Sequence, residues 1–240
     1  SIVGKQFILV HGAWHGGWCW NGVARELEKA GHKVVVPTMP GHGPDDDRSL
    51  IRLDDYVRAL SREIDRLAEP VVLVGHSSAG FVVQSVAAKK PDNIEHLIFN
   101  NAFILPHGKC QFDMVPPEIA QGMIQAAAAS GDNSVPVMVD FVKETLMAGE
   151  ESALANELIE RLVPQPIALF TTPVDLSDLN LSRFRKTLIY CRNDTSLPPG
   201  AYTGMARGLG EFGLIELDLG HEGLFTHPEQ MARALLAAID

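Results

Sequence analysis

Apolar residues along this chain fall into short unbroken runs separated by longer stretches of helical period. The runs are Gln6–Val10, Lys33–Val36, Val71–Val74, His96–Asn100, Thr187–Tyr190 and Leu214–Leu217. A strand with one wet face alternates apolar and polar residues. Unbroken runs of this length suit strands buried on both faces, as in a parallel sheet covered by helices. Between the runs, Trp18–Ala30 carries apolar residues at helical spacing and stops at Gly31, a residue that accepts the left-handed backbone of a helix end. Leu53–Leu67 places Leu53, Val57, Leu60, Ile64 and Leu67 on one stripe. Phe81–Lys89 stops before Pro91, and Pro228–Ile239 opens on a proline, which a first helical turn tolerates. Strand-helix alternation of this kind predicts the α/β class, a mostly parallel, doubly wound sheet flanked by helices.

The rhythm breaks between residues 106 and 178. That stretch has few strand-like runs and predicts helices over Pro116–Ser130, Val135–Met147 and Glu151–Leu162, joined by Gly and Pro. The expected organisation is a single domain over 1–240, with a core of 1–105 and 179–240 and a helical cap insertion over 106–178. A chain of 240 residues suffices for one large, well-buried core.

The segment Val71-Val-Leu-Val-Gly75-His76-Ser77-Ser78-Ala79-Gly80 runs from a buried strand into a helix at a serine flanked by small residues. A sharp strand-to-helix turn holds such a serine in strained geometry with its hydroxyl clear of the sheet. The backbone N–H groups opening the helix face the same spot and suit a developing oxyanion. After the first strand comes His11-Gly12-Ala13-Trp14-His15-Gly16-Gly17-Trp18, where a second oxyanion donor belongs. Ala13 N–H is the candidate there and Ser78 N–H the candidate at the helix start. The glycines form neither a dinucleotide nor a Walker pattern.

A serine nucleophile needs a base, and the base needs an orienting acid. His221, in the loop after the last strand, is the candidate base, and Asp194, after the strand before it, the candidate acid. His227, Asp218, Asp175 and Asp178 are weaker candidates by position. Apolar residues of the cap and its entrance, among them Trp14, Phe103, Ile104, Met114, Met123, Ile124, Phe141, Leu146 and Phe170, compete between cap core and substrate pocket. Trp14, Phe103, Met123, Phe141 and Phe170 are the expected substrate contacts.

The formal net charge of −10 disfavours nucleic acid and anionic membrane surfaces as partners. Cys19, Cys110 and Cys191 are spaced as neither a zinc site nor a redox pair, so three reduced thiols, no metal and no cofactor are expected. No basic-then-apolar leader opens the sequence and no apolar run is long enough to span a bilayer, so a cytoplasmic protein is expected. A homodimer is compatible with this reading.

With Val10-His11-Gly12-Ala13, His15-Gly16-Gly17-Trp18, Ala30-Gly31-His32-Lys33-Val34, Val74-Gly75-His76-Ser77, Cys191-x-x-Asp194 followed by Leu197-Pro198, and Gly220-His221, the chain resembles the plant methylesterase and hydroxynitrile lyase family of α/β-hydrolases and its bacterial pyrethroid-hydrolysing relatives. The resemblance implies an α/β-hydrolase fold, a Ser77–His221–Asp194 triad, an oxyanion hole of Ala13 and Ser78 N–H groups, and cleavage of a small apolar or aromatic ester. It departs from the family at Ala79, commonly glycine, and at Thr38, where many relatives have aspartate. The lyase branch carries threonine and lysine where this chain has Gly12 and Glu222, which favours the esterase branch. A carboxylate beside the base is also expected to repel cyanide. A lyase, a cofactor-free oxygenase and a non-catalytic small-molecule receptor on the same scaffold are the rival readings.

Overall fold

Six parallel strands lie in the order β2-β1-β3-β4-β7-β8: β1 (Gln6–Val10), β2 (Lys33–Val35), β3 (Val71–His76), β4 (Ile94–Asn100), β7 (Arg185–Cys191) and β8 (Gly213–Leu217). A two-stranded antiparallel ladder, β5 (Ser134–Val135) with β6 (Gln165–Pro166), stands apart from this sheet. The structure is a computed structural model and describes residues 4–240; the first three residues of the expected domain lie outside the described residues. The helices are α1 (Asn21–Lys29), α2 (Leu53–Asp65), α3 (Ala79–Lys89), α4 (Pro117–Ala129), α5 (Val139–Phe141), α6 (Ser152–Arg161), α7 (Ala168–Thr171), α8 (Ala201–Ala206), α9 (Gly223–Thr226) and α10 (Pro228–Ile239). None of the described helices is long and apolar enough to cross a membrane.

Period-two geometry explains why the strands are apolar throughout. Ile8 and Val10 of β1, Leu73 of β3, Leu97 and Phe99 of β4 and Leu188 of β7 pack against α2 and α3. Their neighbours Phe7, Leu9, Val72, Val74, Ile98 and Ile189 pack against α1 and α10 on the other face. Both faces are therefore core, and burying a Leu, Ile, Val or Phe side chain stabilises by about 1.5–3 kcal/mol each.

The chain leaves β1 towards β2 on one side and returns to β3 on the other. Loops after β1 and β3 diverge at that reversal, and a crevice opens at the carboxyl ends of the strands. The segments after β1, β3, β7 and β8 carry Ala13, Ser77, Asp194 and His221 to that one edge of the sheet.

Residues between β4 and β7 cover this edge. One expectation is overturned in this stretch. Val135–Met147 is not one helix: Val135 precedes Pro136, which disfavours helical backbone at the residue before it, and Val135 pairs with Gln165 instead. Helix begins only at Val139 and passes into a π-helical turn over Val142–Leu146. The ladder seats the cap on the loop after β1. Val163 N–H donates to Trp14 O (2.9 Å), Trp14 Nε1–H to Val135 O (3.0 Å) and Trp14 N–H to Gln165 Oε1 (3.0 Å).

Candidate active site

Ser77 sits at the turn from β3 into α3 with φ +56°, in the left-handed region that L-residues enter at a cost. Its backbone is held on both sides. Ser77 N–H donates to Asn100 O (3.2 Å), and Ser77 O accepts from Gly80 N–H and Phe103 N–H (3.0 Å each). The turn is this tight only because Gly75 and Gly80 lack side chains. A Cβ on Gly80 would lie 2.4 Å from Phe103 O, and one on Gly75 2.9 Å from a Val83 methyl. Ala79 fits, buried in the first turn of α3, so the departure from the family glycine falls beside the close approach and not on it. The Ser78 hydroxyl is turned aside and donates to Gln111 Oε1 (2.6 Å).

The loop after β1 approaches the same point. A Cβ on Gly12 would meet His76 O and Ser77 Cβ at 3.0 Å, which explains glycine there. Met39 N–H donates to His11 Nε2 (2.9 Å), so the His11 proton is on Nδ1 and donates to Gly12 O (2.9 Å). Burial and the neighbouring His42 push its pKa well down, and it stays neutral. A second relay starts from His15 O, which accepts from His42 Nδ1–H (2.6 Å). His42 Nε2 accepts from Tyr56 (2.7 Å), whose oxygen accepts from the Gln165 amide that holds Trp14 N–H. Burial lowers His42 to about 3. The Thr38 departure also finds its place, since Thr38 Oγ1 accepts from Gly17 N–H (3.0 Å). Among the described residues, neither Ala13 N–H nor Ser78 N–H has an acceptor in the chain, and both residues line the crevice.

His221 is buried and donates from Nδ1 to Asp194 Oδ2 (2.6 Å). The other nitrogen, Nε2, is then the unprotonated one. Burial works against the charged ring, but the Asp194 carboxylate outweighs it and raises the His221 pKa. Asp194 is itself mostly buried, which alone would raise it; His221 and Ser196 hold it below the usual carboxylate range. Its Oδ2 also accepts from Asn101 Nδ2 (2.8 Å), and its Oδ1 from Ser196 N–H (2.8 Å). Asn101, at φ +41°, also accepts Cys191 N–H (2.8 Å), so one side chain locks the end of β4 to the acid loop after β7. Ser196 Oγ lies between Tyr202 OH (2.6 Å) and His221 Nδ1 (3.3 Å). Sequence reading missed Asn101, Ser196, Tyr202 and Gln111. The one cue was the Asn-Asn pair ending a strand, since asparagine tolerates the left-handed region.

The weaker candidates lie elsewhere. Asp218 is exposed and pairs with Arg192, Asp175 is exposed on Ser177, and His227 bonds Thr226 Oγ1.

Ser77, His221, Asp194, Ala13 and Ser78 share a cavity of about 620 Å³. Trp14, Phe103, Met123, Phe141 and Leu146 line it, together with Val115, Ile119, Tyr190, Leu197 and Gln111. Phe170 does not reach it. That ring is fully buried behind Trp14, packed on Trp14 (5.6 Å between centroids) and Phe112 (5.3 Å). Ile104 is likewise core, and Ile124 is on the surface. Glu222 also needs correction. Its carboxylate is 1% exposed, is not part of the cavity lining and is paired with His15 Nε2 (2.8 Å), so it does not face a ligand as an open charge.

The chain matches the family model described as "Alpha/beta hydrolase family" over residues 7–234. It is 29% identical to a carbendazim hydrolyzing esterase of Nocardioides sp. (strain SG-4G), an alignment covering 97% of this chain and 98% of that one. It is 28% identical to methylesterase 2 of Arabidopsis thaliana, over 98% of this chain and 96% of the relative. Among solved structures, an extracellular alpha/beta-hydrolase from a Paenibacillus species superposes with a TM-score of 0.91 at 28% identity, covering 98% of both chains. That protein is described as sharing structural and functional homology with tobacco salicylic acid binding protein 2.

Proposed function

This chain belongs to the alpha/beta hydrolase family, and from that premise we propose that it is a serine esterase cleaving small carboxylic esters with an apolar or aromatic group. The observation that carries this reading is convergence: a strained serine, a carboxylate-bound histidine and two unpaired backbone N–H groups meet on one largely apolar cavity. Ser77 Oγ attacks the ester carbonyl while its proton passes to His221 Nε2. Ala13 and Ser78 N–H groups bind the resulting oxyanion. The alcohol leaves with the proton from His221, and water, activated by the same ring, releases the acid and restores Ser77. Asp194 holds the productive tautomer and offsets the imidazolium charge.

The lining of the pocket supports this substrate class. Ligand sites of 300–1,000 Å³ lined by apolar groups bury drug-sized molecules, and this cavity falls in that range. Similarity to a methylesterase, and to an esterase that hydrolyses carbendazim, supports a methyl ester as the bond cleaved. Gly12 favours hydrolysis over lyase chemistry. A Cβ there would stand 3.0 Å from His76 O and from Ser77 Cβ, so the threonine of the lyase branch would require the serine turn to shift.

The test is hydrolysis of methyl and aryl esters across pH. The reactive form has neutral His221, and Asp194 raises the pH at which the ring loses its proton. Activity is therefore expected to be low in mild acid and to climb to a plateau, with a midpoint above the ordinary imidazole value of about 6.5. Cyanide release from mandelonitrile is expected to stay at background. Full activity at strongly acidic pH rules out the histidine base, and cyanide release rivalling ester cleavage rules out the esterase.

A further inference from the structure

Two loops must be held in register for this chemistry: the one bearing Ala13 and the one bearing His221. A buried couple joins them. His15 Nδ1 lies 2.7 Å from Ala13 O and His15 Nε2 lies 2.8 Å from Glu222 Oε2. Both ring nitrogens face acceptors, so both carry protons and the ring is an imidazolium. Burial alone would disfavour that charge; Glu222 reverses the balance and raises the His15 pKa, while His15 holds Glu222 ionised although it is buried. His15 and Glu222 are 3% and 1% exposed, and the Trp18 indole stacks on the imidazole at 5.8 Å. His15 is two residues from one oxyanion donor, and Glu222 directly follows the base.

We propose that His15 and Glu222 are a positioning pair that ties the oxyanion loop to the base loop and keeps a fixed negative charge behind His221. Neither touches substrate. Two loops 207 residues apart in sequence would otherwise meet only through general packing. Here one charge-assisted bridge sets the distance between the Ala13 peptide and the histidine backbone, and such bonds are about twice as strong as neutral ones. His76 steadies the base loop from β3, its Nε2–H donating to His221 O (2.9 Å). The groups facing the pair are His76 from β3, Cys19 from the turn after Gly16, and His221 itself, with Asp194 and Tyr202 beyond His221. Burial holds His76 near 3 and Cys19 well up, so neither changes charge over the working range. The inference rests on the esterase reading for its kinetic arm and is independent of it in its titration arm.

Three variants test it: Glu222→Gln, Glu222→Leu, and His15→Phe combined with Glu222→Leu, which removes both charges together and leaves none stranded. In the folded double variant kcat for an aryl ester is expected to fall about 10²-fold, the cost of misplacing reacting groups by about 1 Å, with KM changing less. Glu222→Gln keeps a hydrogen bond to His15 and is expected to recover most of the loss seen in Glu222→Leu. Its acid limb is expected to move to lower pH, because the negative charge behind His221 is gone. Proton NMR titration of the His221 ring reads the same displacement without any substrate. A folded double variant with wild-type kcat, or a Glu222→Gln variant whose His221 titration does not move, overturns the proposal. A wild-type protein that hydrolyses no ester but still shows the displacement would defeat the functional reading and leave the couple standing.

Discussion

Ser77→Ala is expected to lose about 10⁴–10⁶-fold in ester turnover while melting at the wild-type temperature. The loss follows from removing the only atom proposed to form the covalent bond; the neighbouring Ser78 hydroxyl is committed to Gln111 and cannot substitute. The fold should survive because alanine meets the same positive φ that serine does, and the bonds holding the turn all belong to backbone atoms of Ser77, Asn100, Gly80 and Phe103. Initial rates on an aryl ester, with a thermal melt alongside, decide the point. Activity within tenfold of wild type, contaminants excluded, removes Ser77 from the mechanism.

Asp194→Asn is expected to cost roughly 10⁴-fold with the protein still folded. The carboxylate accepts three donors: His221 Nδ1–H and Asn101 Nδ2 at one oxygen, Ser196 N–H at the other. An amide in its place must turn its NH₂ towards one of these donors. If it turns towards Ser196, a backbone donor is opposed. If it turns towards His221, the ring takes the other tautomer and presents a proton where the base should be. Asp218→Asn is the control, since that exposed carboxylate pairs with Arg192. A larger loss from Asp218→Asn than from Asp194→Asn would show that the acid is misassigned.

Strands read from apolar runs agree with the six of the sheet to within a residue or two: burial on both faces leaves that signature in the four central strands, while β2 and β8, at the edges, are largely apolar but only partly buried. The serine turn was legible for a related reason: small residues at fixed offsets are a local demand of backbone geometry. Local order also hid things. Phe170 and Met123 are both apolar cap residues, yet one is core behind Trp14 and the other lines the cavity. Nothing in residue type separates those fates. The helix expected from Val135 gave way to pairing with Gln165, a partner 30 residues on. Glu222 was read as a charge facing the ligand because its neighbour along the chain is His221. Its real neighbour, His15, is 207 residues away, and only topology brings them together.

The central claim is that Ser77 is an activated nucleophile facing a formed oxyanion hole. Reaction with a fluorophosphonate tests it most directly, because the adduct places an oxygen where the tetrahedral intermediate would, and an oxyanion donor there is worth about 2.7–4 kcal/mol. One equivalent is expected to bind per chain, to be found by peptide mass spectrometry on Ser77, and to abolish ester turnover in proportion to labelling. An intact protein that takes up no label while it still hydrolyses esters, or that carries its label on another residue, would contradict the assignment.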